Sequence, residues 1–87
     1  MATVKLVYFA WVREKIGIAD EVIEILPSGV DTPAALALWL AQRGEGYAAA
    51  FADLTRLRCA VDQQMIAMDG ALGSPTEIAF FPPVTGG

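Results

Sequence analysis

The sequence predicts a single α+β domain in which a mixed sheet lays one face on one principal helix. Three observations predict it. Strand-like segments stand both before and after one well-capped apolar helix; 55% of the 87 residues are apolar, too many for a disordered chain; and no linker, repeat or low-complexity tract divides a length at the lower edge of single-domain size. A domain this small hides only about 60% of its unfolded surface, so some large apolar side chains are expected to stay exposed for a partner.

Thr3 to Phe9 reads as the first strand, with Val4, Leu6 and Tyr8 on one side and Lys5, Val7 and Phe9 on the other. Ala10 to Ile16 reads as a short helical turn that sends Trp11 or Val12 inward with Ile16 and ends at a left-handed Gly17. Val22, Ile23 and Ile25 form a second strand, and the short spacing favours antiparallel pairing with the first. Thr32 is a good N-cap and Pro33 suits the first helical position. Leu36, Trp39, Leu40 and Arg43 then share a helical face, with Gly44 expected to stop the helix. Gly46 to Asp53 is a second helical stretch in which Tyr47 and Phe51 share a face, expected as a satellite of the core. Leu57–Val61 and Met65–Met68 read as strands flanking an Asp62-Gln63-Gln64 connection, and Asp69-Gly70 as a break. Glu77–Phe81 is the last strand, and the order β-β-α-β-β-β fits a ubiquitin-like β-grasp fold.

Composition also excludes. The chain has no His, which removes His-based acid/base chemistry, Ser-His or Cys-His nucleophile pairs, and His metal ligands. The acidic residues Asp20, Glu21, Glu24, Asp53, Asp62 and Asp69 show no metal-site or acid/base spacing and read as solvated surface, so no metal is expected. Ten acidic against six basic residues give a net charge of −4, which argues against nucleic acid. The longest uncharged apolar run, Pro33 to Ala41, falls far short of the roughly 20 residues that span a bilayer. A lone Cys59, expected as a buried inert thiol, and the absence of a signal-peptide pattern point to the cytoplasm. Arg13, Glu14 and Lys15 read as an exposed helical face that, next to Trp11, could also rim an interface.

The sharpest signal is the segment after the last strand. Pro82 and Pro83 lack backbone donors, so the sheet cannot continue through them, and Pro82 to Gly87 is expected to extend from the residue 1–81 domain as residues 82–87, an arm reaching about 20 Å at roughly 3.3 Å per residue. Gly86 and Gly87 lack Cβ atoms and can thread a narrow channel, presenting the Gly87 carboxylate to another protein. A C-terminal carboxylate, with its pKa of about 3.3–3.7, is a poor electrophile. An ATP-using partner could convert it to an acyl-adenylate, and a sulfur nucleophile could then displace the nucleotide. Phe80 and Phe81 are consecutive in a strand and point to opposite faces. With Ile78 and Phe80 inward, Phe81 faces outward near Phe9 and Val7 as an anchor for a partner; the alternative is a minor core under the Tyr47-Phe51 helix.

Phe9-Ala10-Trp11-Val12-Arg13-Glu14 with Gly17, and above all Phe80-Phe81-Pro82-Pro83-Val84-Thr85-Gly86-Gly87, resemble the small subunits of molybdopterin synthases over essentially the whole chain. The resemblance implies a sulfur carrier that is not catalytic alone. It implies that Gly87 is adenylated by an enzyme similar to ubiquitin-activating enzymes, becomes a thiocarboxylate with sulfur from a donor protein, and donates that sulfur to cyclic pyranopterin monophosphate. It further implies that Phe81, Pro82, Pro83, Val84, Thr85, Gly86 and Phe9 contact the large subunit in a heterotetramer, and that ATP is used by the activating partner with no cofactor on this chain. Asp62 stands where the family commonly has Asn, and Leu72-Gly73-Ser74-Pro75-Thr76-Glu77 replaces a Leu-x-Asp-Gly-Asp-Glu run. Competing expectations are a β-grasp carrier for another pathway such as thiamine biosynthesis, and a ubiquitin-like modifier of lysines.

Overall fold

The computed structural model describes residues 3–24, 26 and 28–83. Expectations for Ile25 and for Val84, Thr85, Gly86 and Gly87 lie outside the described residues.

The alternation in the first segment becomes strand β1 (Val4–Tyr8), with Val4, Leu6 and Tyr8 buried and Lys5 exposed on the other face. Helix α1 (Ala10–Ile16) follows at once; it buries Val12 completely and leaves Trp11 half-buried. Gly17 closes α1 in the left-handed region at φ 97°, its N–H donating to the Arg13 carbonyl at 2.8 Å. Strand β2 (Asp20–Ile23) pairs antiparallel with β1. Helix α2 (Pro33–Ala41) starts as its sequence predicts: the Thr32 Oγ1 accepts from the Ala35 N–H at 3.1 Å and Pro33 occupies the first turn. Leu36, Ala37 and Leu40 are buried, while Trp39 is half-buried and Arg43 lies beyond the last turn.

Gly44 does not stop α2. The helix ends at Ala41 through a right-handed Gln42, and Gly44, extended, instead caps helix α3 (Glu45–Ala50) by accepting from the Ala48 N–H at 2.9 Å. Gly46 is where α3 meets α1: a Cβ there would sit 2.4 Å from the Lys15 carbonyl oxygen, so only glycine permits this approach. The close crossing drives Phe51 into the main core, edge-on to Phe80 at 5.1 Å between ring centroids and to Tyr8 at 6.5 Å. The expected satellite cluster is therefore part of the core itself, with Ala50 and Phe51 both buried.

A 3-10 turn (Leu54–Arg56) leads into β3 (Arg58–Val61) and then β4 (Gln64–Ile66), which is shorter than expected because Ala67 to Gly70 already turn. Asp62 and Gln63, at φ 49° and 71°, form a two-residue hairpin turn, so Gln64 belongs to the strand. Strand β5 (Glu77–Phe81) has the predicted bounds. The sheet order is β2-β1-β5-β3-β4, with β5 parallel to β1 and antiparallel to β3. The sheet is mixed and has one buried face, as a β-grasp requires. Burying each of its large side chains contributes about 1.5–3 kcal/mol.

Candidate functional site

The last strand is the central one, so the chain leaves the sheet from its middle. Ile78 and Phe80 are fully buried, as expected, and Phe81 is half-buried on the opposite face. Beyond it, Pro82 and Pro83 are half-buried and carry no ladder pairing. The exit is bordered on one side by Arg58, the cross-strand partner of Phe81, and on the other by the end of β1, where the Phe9 N–H donates to the Phe80 carbonyl at 3.2 Å. Phe9 is 49% exposed. Ala10 next to it has φ 52°, a left-handed conformation rare for a residue with a Cβ, and this turns the chain sharply from β1 into α1.

Registers extend the exit into a broader surface. Val7, Ala79 and Ala60 are successive cross-strand neighbours, and Met65 follows on β4 with 66% of its surface exposed. With Phe81 and the exposed Val22 they place an apolar stripe on the sheet face opposite the helices. Phe81 therefore does not lie under α3: Phe51, which follows that helix, packs on Phe80 at the other face of the sheet. Sequence reasoning found Phe81, Phe9 and Val7 but missed Ala60, Ala79 and Met65. Their strand alternation was the available signal, yet only the register shows that the three align.

A second feature was misread from the sequence. Glu21, expected on the solvated surface, lies on the inner side of β2 opposite Leu6 with its side chain only 15% exposed. Its Oε2 accepts from the Tyr8 hydroxyl at 2.8 Å and from the Tyr47 hydroxyl at 2.7 Å, while its Oε1 pairs with Arg43 at 3.1 Å. The Arg43 guanidinium also lies over the Trp39 and Tyr47 rings. Burial, reinforced by the bond to Glu21, raises the ionisation of both phenols above the ordinary range. Asp62 is likewise more than surface: its Oδ1 accepts from the Thr76 and Glu77 N–H groups and anchors the start of β5.

The chemistry that this arrangement can perform is limited. Cys59 is fully buried, and desolvation pushes its thiol up to about 12, so it stays a protonated, poor nucleophile at neutral pH. Among the described residues no cluster of Cys, Asp or Glu could hold a metal ion. What the described geometry offers is a chain that leaves the middle of the sheet at Pro82 and Pro83, flanked by an apolar face that another protein can cover.

A family model described as the ThiS family matches residues 6–87. The chain is 40% identical to the molybdopterin synthase sulfur carrier subunit of Escherichia coli K12, covering 97% of this chain and 99% of that one. It is 38% identical to the protein of the same description from Haemophilus influenzae, covering 94% and 96%. Among solved structures it is similar to SAMP1 of Haloferax volcanii (TM-score 0.65, 20% identity, 99% of this chain and 100% of that one). It is also similar to a Pyrococcus furiosus chain assigned to subunit 1 of a molybdopterin converting factor (TM-score 0.63, 22% identity, 97% and 100%). At those identities the two structures speak to the fold, and they agree on the β-grasp.

Proposed function

The chain belongs to the ThiS family, and from that premise we propose that it works as the sulfur carrier subunit of a molybdopterin synthase. The observation that carries the reading is the 40% identity to a curated carrier subunit over nearly the whole of both chains. The central position of β5 supports it, because a tail rooted in mid-sheet is held by ladders on both sides while its partner pulls on it.

In this reading residues 1–81 are the carrier domain and 82–87 the working tail. The Gly87 carboxylate attacks the α-phosphorus of ATP on an activating enzyme, and pyrophosphate leaves. A sulfur nucleophile from a donor protein then attacks the acyl carbon, and AMP departs. With the outer sulfur of a persulfide as that nucleophile, the product is an acyl disulfide. A second thiol of the donor, acting as reductant, attacks its donor-side sulfur, so the donor leaves as a disulfide and the thiocarboxylate is freed. Its sulfur passes to cyclic pyranopterin monophosphate held by the large subunit as water takes its place on the acyl carbon and restores the Gly87 carboxylate. The chain supplies no acid or base to these steps. Its contribution is delivery: Phe81 and Phe9 beside the apolar stripe dock the large subunit, and Pro82, Pro83, Val84, Thr85 and Gly86 lead Gly87 into its site. Among the described residues no helix is long and apolar enough to cross a membrane. With Cys59 free and buried, the protein is assigned to the cytoplasm.

The test is an intact mass before and after incubation with an activating enzyme, ATP and a sulfur source, alongside a Gly87 deletion. A gain matching exchange of one oxygen for sulfur, absent from the deletion, is expected. No gain with an activating enzyme shown to be competent on another carrier would overturn the carrier chemistry. Transfer to a thiazole precursor and not to the pterin would move the protein to the thiamine pathway.

A further inference from the structure

Across α1 from the tail root, α1 and the α3 to 3-10 turn segment enclose a groove of about 410 Å³. Ala49, the buried Ala50 and Ala52 give it a small apolar floor, and Trp11, Lys15, Asp53 and Arg56 line the rest. The Arg56 guanidinium lies 5.4 Å from the centre of the Trp11 ring. Among the described residues the ion pair is Arg43 with Glu21, so Lys15 and Arg56 have no carboxylate at pairing distance. Asp53 adds a negative charge to the wall: its Oδ1 accepts from the Thr55 N–H and hydroxyl, and these bonds, with the nearby Arg56 cation, hold its carboxyl below the usual carboxylate range, so it offsets one of the two positive charges. Arg58 turns back over the same segment, donating to the Thr55 and Leu57 carbonyls. In a chain of net charge −4, two cations against one carboxylate, beside an indole and a small apolar floor, leave this groove with a local positive excess.

We infer that this groove docks an acidic segment of a partner protein: a short stretch that lays an apolar side chain against Trp11 and the alanine floor while its carboxylates meet Lys15 and Arg56. Charge complementarity selects the occupant, since a basic segment would face two like charges and a wholly apolar one would strip water from both cations without pairing them. The groove flanks α1, the helix that follows directly on Phe9, so one partner can hold the tail root and the groove together. The inference rests on the carrier reading for the existence of a partner, and not on the sulfur chemistry.

The experiment is a nuclear magnetic resonance titration of the full chain with a capped peptide of alternating leucine and glutamate. The same peptide with glutamine for glutamate, inorganic phosphate, and the double variant Lys15→Glu, Arg56→Glu are run beside it. Shifts confined to Trp11, Lys15, Ala49, Ala52 and Arg56, with affinity lost about tenfold or more in the double variant and in the glutamine peptide, are expected. Both substituted positions are exposed, and retained shift dispersion shows that the variant folds. Shifts scattered over the surface, equal affinity of the glutamine peptide, equal affinity of phosphate, or an unaffected variant would each overturn the assignment. Intact-mass conversion of Gly87 is read separately, so failure of the carrier chemistry leaves this result standing, and the reverse.

Discussion

Replacing Glu21 by alanine removes one carboxylate that serves three partners on three different segments. Hydrogen bonds to a charged group are worth about 1.5–3 kcal/mol each, and two phenols donate to Oε2. The two are not equal. Tyr8 is 1% exposed, so its hydroxyl would be stranded, whereas Tyr47 is half-buried and regains water. Arg43, about one third exposed, adds no more than about 1 kcal/mol. The sum is a loss of about 3 kcal/mol, or a fall in Tm of about 12–24 °C for a domain of this size. Urea denaturation followed by tryptophan emission measures it directly. Glu21→Gln, which keeps an acceptor but no charge, is expected to lose about half as much, and Tyr47→Phe about 1 kcal/mol. A loss below about 1 kcal/mol for Glu21→Ala would refute the claim that this knot fastens β2 to the helical layer.

Gly46→Ala forces a methyl group onto the Lys15 carbonyl, and a loss of about 2 kcal/mol or more by the same denaturation assay is expected. Phe81→Ala, a truncation at the tail root, is expected to weaken binding of the large subunit by about 2 kcal/mol in calorimetry while leaving Tm nearly unchanged, because Phe80 carries the core contact. The folded state keeps the Tyr8 and Tyr47 phenols protonated, whereas the unfolded chain ionises them at the ordinary value of 10.0; stability is therefore full below that pH and declines as pH rises past it, as alkaline melts can verify. Cys59 in the native protein is expected to resist iodoacetamide at mildly alkaline pH and to react once urea unfolds the chain, a contrast read by mass.

Much of this protein is local in origin. The alternation of β1, the left-handed Gly17, the Thr32-Pro33 helix start and the bounds of β5 were legible because each depends on φ/ψ preferences and side-chain periods within a few residues. So was the outward Phe81, since consecutive strand residues must oppose. The Pro-Pro break after β5 followed from the missing donors alone.

The misreadings share one physical cause. Gly44 looked like a helix stop because glycine can end a helix, yet it begins one, and the choice was made by the close approach of α3 to α1 at Gly46. Glu21 looked like surface because carboxylates usually are, until Tyr8, Tyr47 and Arg43, from 13 to 26 residues distant, converged on it. Met65, Ala60, Ala79 and Val7 became one stripe only when β3, β5 and β1 took their registers. The sequence by itself determined which segments could be strands, helices and a tail, because those depend on the backbone near each residue. Which carboxylate is buried, which glycine is a contact and which apolar residues form a face depend on atoms brought together from distant segments, and only the tertiary structure decides them.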